Sequence, residues 1–145
     1  MKIGRFEVAT ESWTFASYPL DAAPAVPGAV VGLSEITALP DGRFVIIERD
    51  NQLGQDATVK RIYAIDPSSV AFAPFGDTLP TLSKTLLRDV LDDLDAASIS
   101  VPDKLEGLGV TADERVFLVS DNDGVDENYG ETVFIWLGAV GQAFE

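Results

Sequence analysis

Hydrophobic positions along the chain fall in short runs separated by Gly, Pro, Asp and Asn, which is the punctuation of β-strands rather than of long helices. FEVATESWTFASY, residues 6–18, mixes β-branched and aromatic residues with polar ones and predicts one or two partly exposed strands. PLDAAPAVPGAV follows with three prolines and a glycine, a composition that belongs to a connector. Val30–Leu39 predicts a buried strand, PDGR a turn, and Phe44–Ile47 a strand whose unbroken apolar character implies burial on both faces. A polar loop, ERDNQLGQDAT, leads to a third strand over Val59–Asp66. From Pro67 to Pro80 the chain reads as a surface connection pinned by Phe72 and Phe75. LSKTLLRDVLDDL places Leu82, Leu86, Leu87, Val90, Leu91 and Leu94 on helical spacing where the strand pattern calls for an outer strand. The expectation is a short strand over Lys84–Arg88 and then a helical turn. Leu105–Thr111, Val116–Ser120 and Thr132–Leu137 predict a second three-strand meander, ending in the short tail GAVGQAFE.

One pattern is written twice, 72 positions apart and without a gap. GLSEITALPDGRFVIIERDN runs from Gly32 to Asn51, and KLEGLGVTADERVFLVSDND from Lys104 to Asp123. Each copy gives a strand, a turn with an aspartate (Asp41, Asp113), a second strand and an acidic loop. A repeated sheet unit points to an all-β, stacked or radial array. The expected fold is a partial β-propeller of about two to two and a half blades. It forms a single segment over residues 1–145, with unit one at about 30–100 and unit two at about 101–138. A closed propeller needs at least roughly four blades. The expectation is therefore a C-terminal part of a larger propeller, or a protein whose exposed blade faces are covered by self-association or by a partner chain.

Charge and composition narrow the function classes. With 46% apolar residues and a net charge of −14, the chain is globular rather than disordered and repels nucleic acid and anionic membranes, which are set aside as partners. From Leu87 onward 14 residues are acidic and 3 basic, against 10 and 7 before it, so the C-terminal unit carries the field. The sequence contains neither cysteine nor histidine. Disulfides, thiolate chemistry, a Ser-His-Asp triad and the common zinc sites are excluded from within it, leaving carboxylates or metal-bound water for acid–base work. The start, MKIGRFEVATESW, lacks a long apolar stretch, so no signal peptide or membrane anchor is expected in it.

The densest candidate chemistry is DNDGVDENYGE, where Asp121, Asp123, Asp126, Glu127 and Glu131 lie between two apolar strands. Calcium takes several oxygens at once, and such a loop can supply them, although the spacing is not that of an EF-hand. The alternative is a solvated hairpin loop whose carboxylates keep the edge soluble. Glu106, opening the buried strand of unit two, would face a central channel, or else would pair with a neighbour such as Lys104 or cap a backbone amide. The ungapped alignment sets Glu106 opposite Ser34 and Glu35 opposite Gly107, so a channel role for both glutamates would require a bulge. The expected calcium ligands are Glu106, Asp121, Asp123 and Asp126. Arg49 and Asp50 read more simply as an inter-blade ion pair. Lys60, Arg61, Lys84 and Lys104 are the cations that could meet phosphate, and Trp13, Trp136, Phe134 and Tyr63 read as core and blade packing.

GLSEITALPDGRFVIIERDN, KRIYAID, SKTLL, DKLEGLGVTADERVFLVSDND and a GET before the last strand occur in an order that resembles the phytase-like family, described by its esterase-like activity of phytase. The resemblance covers most of Gly32–Trp136 and implies a β-propeller, common export in bacteria to the periplasm or beyond, and hydrolysis of phosphoesters. Three readings follow. The first is a calcium-assisted phosphoester hydrolase acting on a small molecule. The second is a non-catalytic, calcium-stabilised binding or structural piece. The third is an ester or lactone hydrolase of the calcium propeller type.

Overall fold

The computed structural model describes residues 1–122 and 132–144, and they form open antiparallel sheets with two short α-helices and two single-turn 3-10 helices. The first sheet is a hairpin of β1 (Lys2–Glu7) and β2 (Ser12–Ser17). The second has the order β3 (Val31–Ala38), β4 (Phe44–Asp50), β5 (Lys60–Ile65), β6 (Lys84–Asp89), and the chain continues into α1 (Val90–Ala96). The third is β7 (Leu105–Val110), β8 (Arg115–Ser120) and β9 (Phe134–Ala139), followed by α2 (Val140–Ala143). Asp89 stops β6 and starts α1: its carboxylate accepts the N–H of Leu91 at 3.2 Å, the bond expected of an N-cap.

The duplication holds pair by pair. Leu33↔Glu48, Glu35↔Ile47, Ile36↔Ile46, Thr37↔Val45 and Ala38↔Phe44 in the second sheet are matched at the same offset by Leu105↔Ser120, Gly107↔Val119, Leu108↔Leu118, Gly109↔Phe117 and Val110↔Val116 in the third. Both ladders slip at one place, so that Ser34 and Glu106 are the extra residues of equivalent bulges. The turns match too. Leu39 N–H donates to the Arg43 carbonyl at 2.8 Å, and Thr111 N–H to the Arg115 carbonyl at 2.9 Å. Arg43 Nε reaches Asp41, and Arg115 Nε reaches Asp113, each at 2.8 Å. Gly42 (φ 89°) and Glu114 (φ 60°) occupy the same left-handed position of the two turns.

The sheets stack, and β4 lies in the middle layer. Its even positions Phe44 and Ile46 turn toward the hairpin sheet, where Ile46 joins Ala16, Tyr18, Ile65, Phe72 and Leu82 in one core. Its odd positions Val45 and Ile47 turn toward the third sheet, meeting Leu105, Leu108, Val116, Leu118 and Leu137 together with Val90 and Leu94 of α1. Double-sided burial is why this strand is written as an unbroken apolar run. Each such aliphatic side chain contributes about 1.5–3 kcal/mol on leaving water. Edge strands β3 and β7 run next to each other, tied by Ser34 Oγ donating to the Leu105 carbonyl at 2.7 Å and Thr37 Oγ to the Leu108 carbonyl at 2.8 Å.

Several expectations are revised. The last strand begins at Phe134 rather than Thr132, and the tail is helical over Val140–Ala143. Phe72 is buried as a pin for the connection, but Phe75 is 75% exposed and packs edge-on against Phe15 at 5.8 Å. That connection joins the hairpin sheet: Phe15 and Ala73 exchange backbone hydrogen bonds, and Leu82 N–H donates to the Ser17 carbonyl. Tyr63 is buried as expected, whereas Trp13, Phe134 and Trp136 are not core residues. They stand on the outer faces of the first and third sheets because strand parity turns them away from the middle layer.

Candidate functional site at the end of the central strand

FVIIERD carries its apolar residues to both sides and then places charge on both sides at its end. Glu48 emerges toward the hairpin sheet, Arg49 toward the third, and a polar network grows from each.

On the hairpin side Glu48 is fully buried and accepts from Tyr18 Oη at 2.8 Å, Lys84 Nζ at 2.7 Å and the Asp21 N–H. Lys84 comes from β6, lies 4.0 Å from the centre of the Tyr63 ring, and donates also to Asp21 Oδ1 at 2.7 Å. Asp21 Oδ2 accepts from Arg61 Nη1 and Tyr63 Oη, both at 2.6 Å, while Arg61 Nε reaches Asp89 at 3.0 Å. Burial alone would raise the Asp21 carboxyl, but hydrogen bonds from Lys84, Tyr63 and Arg61 outweigh it and bring it down to about 2. Tyr63 is pushed up to about 12 by burial and by its bond to Asp21. Tyr18 is raised by burial and by Glu48. Every charge here has a partner, so the network anchors segment 18–21 onto the middle sheet.

On the other side Arg49 Nη2 pairs with Glu106 Oε1 at 2.5 Å, and Nη1 lies 3.5 Å from Asp103 Oδ1. Glu106 owes this reach to its bulge, which turns it out of the ladder at the start of β7. Beneath them Lys60 has no exposure and donates to three carbonyls, of Asp50 at 2.8 Å, Gln52 at 2.9 Å and Asp103 at 2.8 Å, with Asp50 Oδ1 3.1 Å away. Burial lowers the Lys60 ammonium, and Asp50 opposes that shift. The Asp50 carboxyl, which burial would raise, is held low by the N–H groups of Thr58 and Val59 and by Lys60. Asp103 Oδ1 is buried without a hydrogen bond.

The sequence-derived ligands are thus distributed. Glu106 sits at this rim in an ion pair whose other half, Arg49, comes from the first unit. Arg49 makes the inter-sheet pair expected of it, but with Glu106 and not Asp50. Asp121 is exposed just after β8, its N–H donating to the Lys104 carbonyl at 2.8 Å, so it stands at the same end of the third sheet as Glu106. Asp123 and Asp126 lie outside the described residues. Among the described residues no three of Asp, Glu, His or Cys are placed to hold one metal ion. In the described part of the rim, Arg49 counters Glu106 and Asp103, and Lys60 counters Asp50. Of the cations named for phosphate, Lys60 is sealed in, and Arg61 and Lys84 are held by Asp21, Asp89 and Glu48. An open recess of about 280 Å³ lies elsewhere, beside β3, lined by Ile3, Leu33, Ser34, Glu35, Ile36 and Ile46.

Sequence reasoning missed Asp21 and Asp103. Parity along FVIIERD separates Glu48 from Arg49, yet nothing in a connector full of proline marks Asp21 as a member of the Glu48 network. Asp103 carried no signal apart from its neighbour Lys104.

Fold and site together define an antiparallel, repeat-built β protein with a carboxylate–cation rim at the end of its middle strand. The chain belongs to the phytase-like family, described as esterase-like activity of phytase, whose profile matches residues 1–124. The match takes in both repeats. No curated protein and no solved structure matches the chain.

Proposed function

We propose that this chain works in ester hydrolysis, with phosphoesters as its substrate class, as part of a β-propeller whose opening is bordered by the starts of β3 and β7. Membership of the phytase-like family over residues 1–124 carries this reading. The adjacency of β3 and β7 supports the propeller arrangement, because inner strands of neighbouring blades meet in this way. Arg49 is the residue at the rim whose planar guanidinium suits a phosphate group, with Glu106 holding it in place until substrate competes. With no histidine in the sequence, proton transfer within it falls to a carboxylate or to metal-bound water. Calcium, taken by Glu106, Asp121, Asp123 and Asp126, is the cation this reading invokes for binding.

The test measures phosphate release from an aryl phosphate and from phytate, and carboxylate release from an aryl acetate and a lactone, with calcium and with a chelator. Turnover of the phosphates is expected, with kcat/KM at least about tenfold lower in Arg49→Ala. Turnover of the acetate or lactone alone would move the assignment to a carboxyl-ester hydrolase. No release from any of the four would leave the second reading, a binding or structural module. The completeness of the ion pairs around Glu48 and Lys60 favours that reading. In it, calcium raises the melting temperature without turnover, and Glu106→Ala or Asp123→Ala removes the rise.

A further inference from the structure

At the rim one guanidinium faces two carboxylates, and the two are held differently. Arg49 Nη2 pairs with Glu106 Oε1 at 2.5 Å, while Nη1 stands 3.5 Å from Asp103 Oδ1, near enough for an ion pair but outside hydrogen-bond range. That Asp103 oxygen is shut away from solvent and accepts no hydrogen bond among the described residues. A buried carboxylate oxygen without a donor is costly, and a guanidinium fork stands one short step away. The Asp103 backbone is fixed. Fully buried Lys60 donates to its carbonyl at 2.8 Å, and just before it the Gly54 N–H donates to the Val101 carbonyl at 3.0 Å, with Ile99 and Val101 packed against the core. Glu106 is the looser partner: its side chain is 35% exposed, against 24% for Asp103, and its bulge turns it out of the ladder at the start of β7.

We infer that Asp103 is a positioning residue for Arg49: it takes over the guanidinium when Glu106 lets go, so that Arg49 stays in the joint between the two units with one branch of its fork open. Bringing Nη1 about 0.6 Å closer than its present 3.5 Å reaches the ordinary hydrogen-bond distance of about 2.9 Å and satisfies the buried oxygen. Nη2, on the other branch of the planar fork, is then left for an incoming oxygen. The released Glu106 carboxylate enters water, where solvation offsets much of the lost pair. Without Asp103, each ligand would have to order Arg49 afresh, at the entropic cost of fixing a long side chain. The ligand that displaces Glu106 is a phosphate-type oxyanion, and this part rests on the phosphoester reading. The hand-over from Glu106 to Asp103 rests on geometry alone.

Hydrogen exchange of the Arg49 Nη protons, followed by nitrogen NMR of the labelled full chain and assigned by their loss in Arg49→Lys, tests it. Glu106→Ala removes the competing carboxylate. The Arg49 protons are expected to stay protected in that variant, and to exchange at least about tenfold faster once Asp103→Ala is added, the scale of one hydrogen bond to a charged group. Inorganic phosphate is expected to protect them further in Glu106→Ala, and to bind at least about tenfold more weakly when Asp103 is also replaced. Equal exchange with and without Asp103, or phosphate binding that ignores its loss, would each overturn the proposal. Protection that persists in Glu106→Ala with no response to phosphate would uphold the hand-over and remove the phosphoester reading instead. If the double variant loses native circular dichroism, Asp103→Asn in place of Asp103→Ala keeps the side-chain shape, removes the charge and carries the same comparison.

Discussion

Lys60 takes a full positive charge out of water and survives there because oxygen surrounds it: three carbonyls and the Asp50 carboxylate. Replacing it with an apolar residue of similar length leaves Asp50 buried with only its N–H partners. Lys60→Met is expected to cost about 3–5 kcal/mol in urea unfolding, the scale for breaking a buried pair from one side. A loss within about 1 kcal/mol would show that the ammonium contributes nothing net. Asp21 yields a pH prediction. Its carboxyl lies near 2 when folded, below the ordinary 3.8, so its contribution is present above about pH 4 and is lost as pH falls toward 2. At neutral pH that contribution is at most about 2 kcal/mol. The stability gap between parent and Asp21→Asn should therefore narrow by that amount across this window. A gap independent of pH would remove Asp21 as an acid-sensitive anchor.

At the scale of elements, the two turns offer an internal control. Both place one residue in the left-handed region, Gly42 in the first and Glu114 in the second, within the same hydrogen-bond and Asp–Arg frame. Glycine adopts that region freely and glutamate does not. Glu114→Gly is expected to stabilise by up to about 1 kcal/mol and Gly42→Ala to destabilise by a similar amount, read as shifts in the urea midpoint. Equal and near-zero effects would show that the turns are not the matched pair their bonds describe. The bulge is the other shared device. It was needed for Glu106 to leave the ladder, and a gapless alignment cannot reveal it because both copies carry it at the same position. Matching lengths conceal a shared irregularity.

For the whole molecule, the decisive feature is that one core serves two sheets. Leu118 has no exposure and packs with residues of the middle sheet, α1 and the third sheet. Leu118→Ala is expected to cost about 2–5 kcal/mol. Fluorescence of Trp13, on the first sheet, and of Trp136, on the third, should still report one shared transition. Separate transitions would mean that the sheets unfold independently. Repeat equivalence does not guarantee equal burial: Leu108 is 6% exposed and its counterpart Ile36 46%, because the third sheet is covered where it meets the middle one while Ile36 borders the recess beside β3.

The order of strands, the double-sided burial of β4, the switch from strand to helix at Asp89 and the family were all legible in the sequence, because period, turn chemistry and repetition are local properties that survive without coordinates. The candidate site was legible only in part. Glu106 and Arg49 were both named, but their union required two strands from different units to meet, and Asp21, Lys84 and Glu48 met across 27 to 63 positions of chain. Tertiary structure alone decided which charges are spent on each other and which aromatic faces look outward. Those outcomes depend on which sheet lies beside which, and that is a property of packing rather than of any stretch of residues.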